Sequence, residues 1–126
     1  KLEPDYSFFL RLRLPGGVLT PAQWLAMDDA ASRYGTRGIR LTTRQTIQVH
    51  GIEKRNLRAT AQVVHASGLD TIAACGDDNR NVVAAVNPLL SRLHAEVFAQ
   101  ASALSLHLRP KARAWFETWL NERPTR

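Results

Sequence analysis

Gly38–Ile52, GIRLTTRQTIQVHGI, is the stretch on which the reading of this chain turns. At strand period its side chains divide into two faces. Ile39, Leu41, Ile47 and Val49 fall on one, with Thr43 and Gln45 interrupting them. Arg40, Thr42, Arg44, Thr46, Gln48 and His50 fall on the other. That second face is a row of guanidinium, hydroxyl, amide and imidazole groups, which suits an anion. The stretch is expected to form one long strand, kinked or bulged at Thr43–Gln45. Residues two apart on a strand lie about 6–7 Å from each other, so the row can reach acceptors spread over a wide, flat ligand. On the same geometry Arg40 and Arg44 would stand about 13 Å apart, too far to share one small oxyanion. Arginine adds bidentate, always-charged recognition of carboxylates and oxyanions. The pattern alone leaves open a solvated strand whose arginines pair with nearby acids.

Upstream, Ser7–Leu14 (SFFLRLRL) sets Phe8, Leu10, Leu12 and Leu14 against Phe9, Arg11 and Arg13, and reads as a strand closed by Pro15-Gly16-Gly17. Arg11 and Arg13 are either solvated or a continuation of the anion-facing surface. Thr20-Pro21-Ala22-Gln23 supplies a helix cap, a proline at the first helical position and the glutamine of a capping box. Trp24, Met27, Ala31 and Tyr34 recur at helical spacing as a buried stripe, and Gly35 is expected to be a left-handed stop.

Downstream, Asn56–Ser67 reads as a helix with Leu57, Ala61 and Val64 inward and Gly68 ending it. A short strand at Thr71–Ala74, a polar turn at Gly76–Asn81 and the apolar Val82–Val86 follow. Asn87-Pro88 is expected to open a long helix reaching about His107, with Leu90, Leu93, Val97, Ala101, Leu104 and Leu108 as its stripe. Ala114–Leu120 fits either a helix or a strand. The order predicts one α+β domain over residues 1–126, with helices on one face of a small sheet. The opposite, polar face then needs a cofactor or another domain against it.

Composition excludes some classes. The net charge is +6 and the pI about 10.4, but the basic residues are dispersed, which argues against a nucleic-acid footprint. No apolar run is long enough for a membrane helix. Cys75 is the single cysteine, so there is no internal disulfide, which fits a reducing compartment. His50 is a lone histidine at a strand end, with nothing nearby at metal-ligand spacing; no metal site is expected. Asp77 and Asp78 do not read as a general-acid pair, because Arg80 would hold them ionised.

Three motifs occur in a telling order: LRLPGGVLT at Leu12–Thr20, LTTRQTIQVHG at Leu41–Gly51, and GDDNRNV at Gly76–Val82. With them the chain resembles, from about Phe8 to Leu120, the sirohaem-containing sulfite and nitrite reductase haemoprotein family, above all its assimilatory sulfite reductase branch. The resemblance implies a ferredoxin-like half domain, with a strand rather than a helix at 114–120. It implies six-electron reduction of sulfite to sulfide at sirohaem, coupled to a 4Fe-4S cluster. It makes Arg44 and Arg113 the contacts to the bound anion. Arg40, Thr42, Thr43, Gln48, His50, Arg80 and Asn81 become contacts to the macrocycle, with His50 packing or hydrogen-bonding beside it.

The expected partners are sulfite, the remainder of the same polypeptide, and an electron-donor flavoprotein or ferredoxin, in the cytoplasm; no nucleic acid and no membrane are expected. One thiolate cannot hold a four-iron cluster. With Lys-Leu-Glu-Pro at its start in place of methionine, the chain therefore reads as a piece of an enzyme, inactive by itself. Two rivals stand beside this reading. One is a ferredoxin-dependent nitrite reductase fragment. The other is a cofactor-free basic module binding RNA; RNA-binding sheets usually display stacking aromatics, and the polar face is expected to have none.

Overall fold

The computed structural model describes residues 7–72, 74 and 81–109. Its elements are β1 (Ser7–Arg11), α1 (Pro21–Tyr34), β2 (Ile39–Leu41), β3 (Ile47–Glu53), α2 (Leu57–Ala66) and α3 (Arg92–His107). Single 3-10 turns lie at Pro15–Gly17 and Lys54–Asn56. The three strands form an antiparallel sheet in the order β1-β3-β2, and the fold is α+β as expected.

The expected long strand is instead a hairpin. β2 turns back onto β3, pairing Ile39 with Val49, Arg40 with Gln48 and Leu41 with Ile47. The reversal is a type I turn with a left-handed fourth residue. Gln45 N–H donates to Thr42 O at 3.2 Å, Thr42 N–H donates to Thr46 O at 2.9 Å, and Gln45 has φ 53°. Glycine usually fills that last position, because a Cβ is strained there. Here the Gln45 side chain is held at both ends by one residue: Nε2 donates to Ala84 O at 2.8 Å, and Oε1 accepts from Ala84 N at 2.9 Å.

The apolar sides of β1 and β3 meet α1 and α2. Leu12, Leu14, Met27, Ile47, Val64 and Leu69 form one buried cluster, and Ala31, Val49 and Ile52 a second. On α1, Met27, Ala30 and Ala31 are buried, while Trp24 is 43% exposed and is not the core residue its spacing predicts. On α2, Thr60 and Val64 face inward, and Ala61 is exposed. Gly35 is not left-handed, since its φ is −118°. A Cβ there would lie 2.6 Å from His50 O, so glycine is needed for close approach to β3.

The expected helix at Asn87 begins later, at Arg92, with Ser91 accepting from His94 N at 3.3 Å as its cap. Asn87 instead has φ 61°, and Leu90 N donates to its carbonyl. Of the predicted stripe Ala101 is buried as expected, but Leu90, Leu93 and Leu104 are exposed, and Ser105, outside the stripe, is buried. α3 packs against the Pro15–Gly17 turn, where Phe98 comes close to Gly16. It also clasps Arg13, whose Nε donates to Ser105 Oγ at 3.0 Å and Nη2 to Ser105 O at 2.8 Å. Residues 71 and 72 carry no strand; the pairing nearby is a single bridge between Arg13 and Asp70.

The capping box of α1 forms as read. Thr20 Oγ1 accepts from Gln23 N at 3.2 Å, and Gln23 Oε1 accepts from Thr20 N at 3.0 Å. Thr20→Ala is expected to cost about 1 kcal/mol. A denaturation midpoint equal to that of the unchanged chain would show that the cap contributes nothing.

Candidate functional site

The hairpin and β1 present one polar face. Across the three strands Arg11, Gln48 and Arg40 stand in register, since Gln48 pairs with Arg11 on one side and Arg40 on the other. An extra residue in β3 opposite Phe9 forms a bulge, with Gly51 at φ 72°. The bulge sets His50 beside Phe9: the two rings stack at 5.3 Å between centroids, 17° from parallel. The Arg11 guanidinium lies 5.8 Å from the Phe9 ring centre. The polar face therefore does carry one aromatic, contrary to the sequence reading, but its ring is occupied by His50.

At the hairpin tip a cavity of about 140 Å³ is lined by Arg11, Thr42, Thr43, Arg44, Thr46, Ala74 and Asn81. Four of the predicted site residues, Thr42, Thr43, Arg44 and Asn81, thus converge on one place, and among the described residues no acidic side chain lines it. Arg40, Gln48 and His50 are on the adjoining sheet face. A larger groove, about 520 Å³, is walled by Leu14, Trp24, Leu41, Val86, Pro88 and others. Among the described residues it has no charged lining, so positive charge is concentrated at the smaller cavity.

The turn itself aims these groups. Thr42 Oγ1 accepts from Arg44 N and from Thr46 N, each at 3.3 Å. Its oxygen is therefore used by the turn, and its O–H is left to donate. Thr43 is exposed in the turn. Arg44 is exposed and donates from Nη2 to Asn81 O at 2.9 Å. Because the chain reverses here, the extended-strand distance between Arg40 and Arg44 does not apply. Arg40 stays in the ladder opposite Gln48, and Arg44 sits in the turn.

Asn81 is 1% exposed and fully engaged with backbone. Oδ1 accepts from Leu14 N at 2.6 Å, and Nδ2 donates to Leu14 O at 2.5 Å, Arg44 O at 2.9 Å and Gln45 O at 3.2 Å. It staples the hairpin turn to the segment after β1. Its amide is thereby committed to shaping the cavity wall.

Arg11 and Thr46 line the cavity without having been singled out as site residues. The signal for Arg11 was the Phe9, Arg11, Arg13 alternation, which could equally have meant a solvated edge. Thr46 donates its hydroxyl to Leu12 O at 2.5 Å and so ties the hairpin to the end of β1. Arg13 has a different fate. It is buried, and burial lowers its pKa, an effect opposed by Asp70 and reinforced by Arg109. Arg109 itself pairs with Asp70 at 2.7 Å. Arg80, Arg113, Asp77, Asp78, Cys75 and the segment 114–120 lie outside the described residues.

His50 has its pKa lowered, first by burial and then by Arg40 and Arg11. The imidazole is therefore mainly neutral at pH 7, whereas an unfolded histidine is already half-protonated at about pH 6.5. Between its depressed folded pKa and about 6.5 the unfolded chain binds the extra proton, so stability is full above that window and falls on acidification through it. His50→Gln should flatten the fall in denaturation midpoint between pH 7.5 and pH 5.5. An unaltered pH slope in the variant would assign the effect elsewhere.

Comparison with known proteins places this geometry in a family. Residues 1–67 match the family model described as the nitrite/sulfite reductase ferredoxin-like half domain. The chain is 57% identical over 122 residues to the sulfite reductase [NADPH] hemoprotein beta-component of Xanthomonas oryzae pv. oryzae, covering 97% of this chain and 22% of that protein. It is 55% identical over 123 residues to the protein of the same name from Xylella fastidiosa, covering 98% and 22%. Among solved structures, the Mycobacterium tuberculosis NirA protein superposes with a TM-score of 0.58 at 30% identity, over 61% of this chain and 14% of that one. The chain spans about a fifth of the length of the curated relatives it matches. With more than half of its residues matched by that family model, the chain belongs to the nitrite/sulfite reductase ferredoxin-like half-domain family.

Proposed function

We propose that this chain is the part of a sulfite reductase haemoprotein that supplies hydrogen-bond donors and positive charge to sirohaem and to sulfite. The observation that carries the reading is the convergence of Arg11, Thr42, Thr43 and Arg44 on one cavity, with no acidic side chain lining it among the described residues, beside Arg40 and His50. That donor set fits a ligand edged with carboxylates: arginines neutralise charge and hydroxyls fix orientation. Sirohaem, coupled to a 4Fe-4S cluster, would supply the electron path for six-electron reduction of sulfite to sulfide.

The protein's share is binding and electrostatics. Arg44, with Arg113, draws in sulfite and polarises its oxygens. Arg40, Thr42, Thr43, His50 and Arg80 hold the edge of the macrocycle. Gln48 and Asn81 serve it from behind, Gln48 between Arg11 and His50, Asn81 by holding the turn. With one cysteine in 126 residues, the cluster ligands must come from the remainder of the same polypeptide. The relatives' name includes NADPH, a hydride donor. That favours a flavoprotein over a ferredoxin as electron donor, since a flavin can split a hydride into single electrons. A cytoplasmic location fits a reducing compartment. Among the described residues no helix is long and apolar enough to cross a membrane.

Nitrite is the second substrate to consider, because the family description includes both anions. The test is turnover of each anion by the complete enzyme containing this chain and by its Arg44→Ala variant. Sulfite should be the better substrate, and the variant should lose about 10²-fold in turnover, the scale of one lost electrostatic donor. Preference for nitrite would select the alternative, and an undiminished rate would remove Arg44 from the site.

A further inference from the structure

Gln48 lies between two groups of opposite need. On one side is the Arg11 guanidinium, which has donors only, with Nε at 2.6 Å and Nη2 also in contact. The end of the Gln48 amide facing Arg11 is therefore the carbonyl oxygen. The amide nitrogen then faces His50 Nε2 at 2.9 Å and donates to it. A ring nitrogen that accepts a hydrogen bond carries no proton, so a neutral His50 must carry its proton on Nδ1. Nδ1 is buried and has no hydrogen-bond partner among the described residues. A buried ring N–H of this kind costs stability unless an acceptor meets it.

We propose that Arg11, acting through Gln48, locks His50 in its Nδ1–H tautomer, so that the free ring nitrogen is a donor and not an acceptor. Arg11 is thus a positioning residue: it fixes the amide, and the amide fixes the imidazole. Phe9 stacking and the β3 bulge hold the ring plane, so the tautomer decides which hydrogen-bonding character the ring shows. Any group that meets the buried Nδ1 must then be an acceptor, such as a carboxylate. The identity of that acceptor rests on the function proposed above; the tautomer does not.

The test is ¹⁵N-histidine NMR of the full chain at pH 8, where the ring is neutral. The sequence has four histidines, and His50→Gln identifies the His50 signals by their loss. The unchanged chain should show Nδ1 protonated and Nε2 bare, by about tenfold or more over the other tautomer, as one charge-assisted relay can enforce. Gln48→Glu has only acceptors to offer, so Nε2 should become the protonated atom and the pattern should invert. Arg11→Met releases the amide, and the ratio should fall towards even. A protonated Nε2 in the unchanged chain overturns the proposal, and this one spectrum suffices if a variant fails to fold. An Nδ1–H tautomer surviving Gln48→Glu, or a ratio indifferent to Arg11→Met, overturns it as well. Loss of the cofactor assignment would leave all three results intact, so the two readings fail separately.

Discussion

Asn81→Ala is expected to destabilise the chain by about 3 kcal/mol or more, and to do so by loosening the hairpin that carries Arg44. The amide touches four backbone groups: Leu14 N–H and the carbonyls of Leu14, Arg44 and Gln45. Each buried polar group left without a partner costs about 1–3 kcal/mol. Alanine strands several at once, and relaxation or water entry recovers some of that. Asn81→Asp discriminates further. It keeps an acceptor for Leu14 N but places a carboxylate against three carbonyl oxygens, so it should be no better than alanine. Chemical denaturation measures both. A loss below about 1 kcal/mol for alanine would mean the staple contributes little, and the hairpin would then be held mainly by Gln45 and its two bonds to Ala84.

Gly35→Ala is the second large effect, about 2–3 kcal/mol. A Cβ at this position would meet His50 O at 2.6 Å, Ala31 O at 3.1 Å and Val49 Cγ1 at 3.1 Å. Two of those neighbours are backbone oxygens and the third is a core side chain, so none can move cheaply; overpacking of this kind typically costs about 1–3 kcal/mol. Gly35→Asn separates this cause from a left-handed helix end. Asparagine tolerates left-handed backbone better than alanine, so a conformational cause would make it the milder change. A steric cause makes it the worse one. The same clash would shift the His50 carbonyl, to which Thr36 N donates at 3.0 Å, and so would disturb the imidazole beside Phe9.

These two positions also show what was legible in the sequence. The α1 capping box was readable because every partner lies within three residues. The division of Gly38–Ile52 into apolar and polar faces was readable too, and Arg40, Gln48 and His50 do share one face. The hairpin was not. Its paired residues 41 and 47, or 40 and 48, have the same parity, so a three-residue turn preserves a period of two and leaves no trace in the alternation. The usual turn signal, glycine at the left-handed position, is replaced by Gln45, whose anchor is Ala84, 39 residues away. No local rule contains that information.

The α3 stripe failed for another reason. Periodicity shows which face of a helix is apolar, but not whether anything covers it. Ser105 turns inward because Arg13 needs its hydroxyl and carbonyl, a contact spanning 92 residues. Gly35 was misread because a glycine after a helix has two possible reasons, and the second depends on how close β3 passes. At the site, Arg11 could be assigned only once the register set it opposite Gln48.

On the function proposed above, the hairpin face holds a carboxylate-rich macrocycle and its two arginines do different work. Arg40 is in the ladder beside Gln48, and Arg44 is at the turn over the cavity. Sirohaem bound per protein, read from its visible absorbance in the complete enzyme, tests this most directly. Arg40→Ala should be depleted of sirohaem, having lost a charge that neutralises a carboxylate, whereas Arg44→Ala should keep a normal sirohaem content while turning over sulfite slowly. Equal depletion in both variants, or full occupancy and full activity in both, would contradict the account.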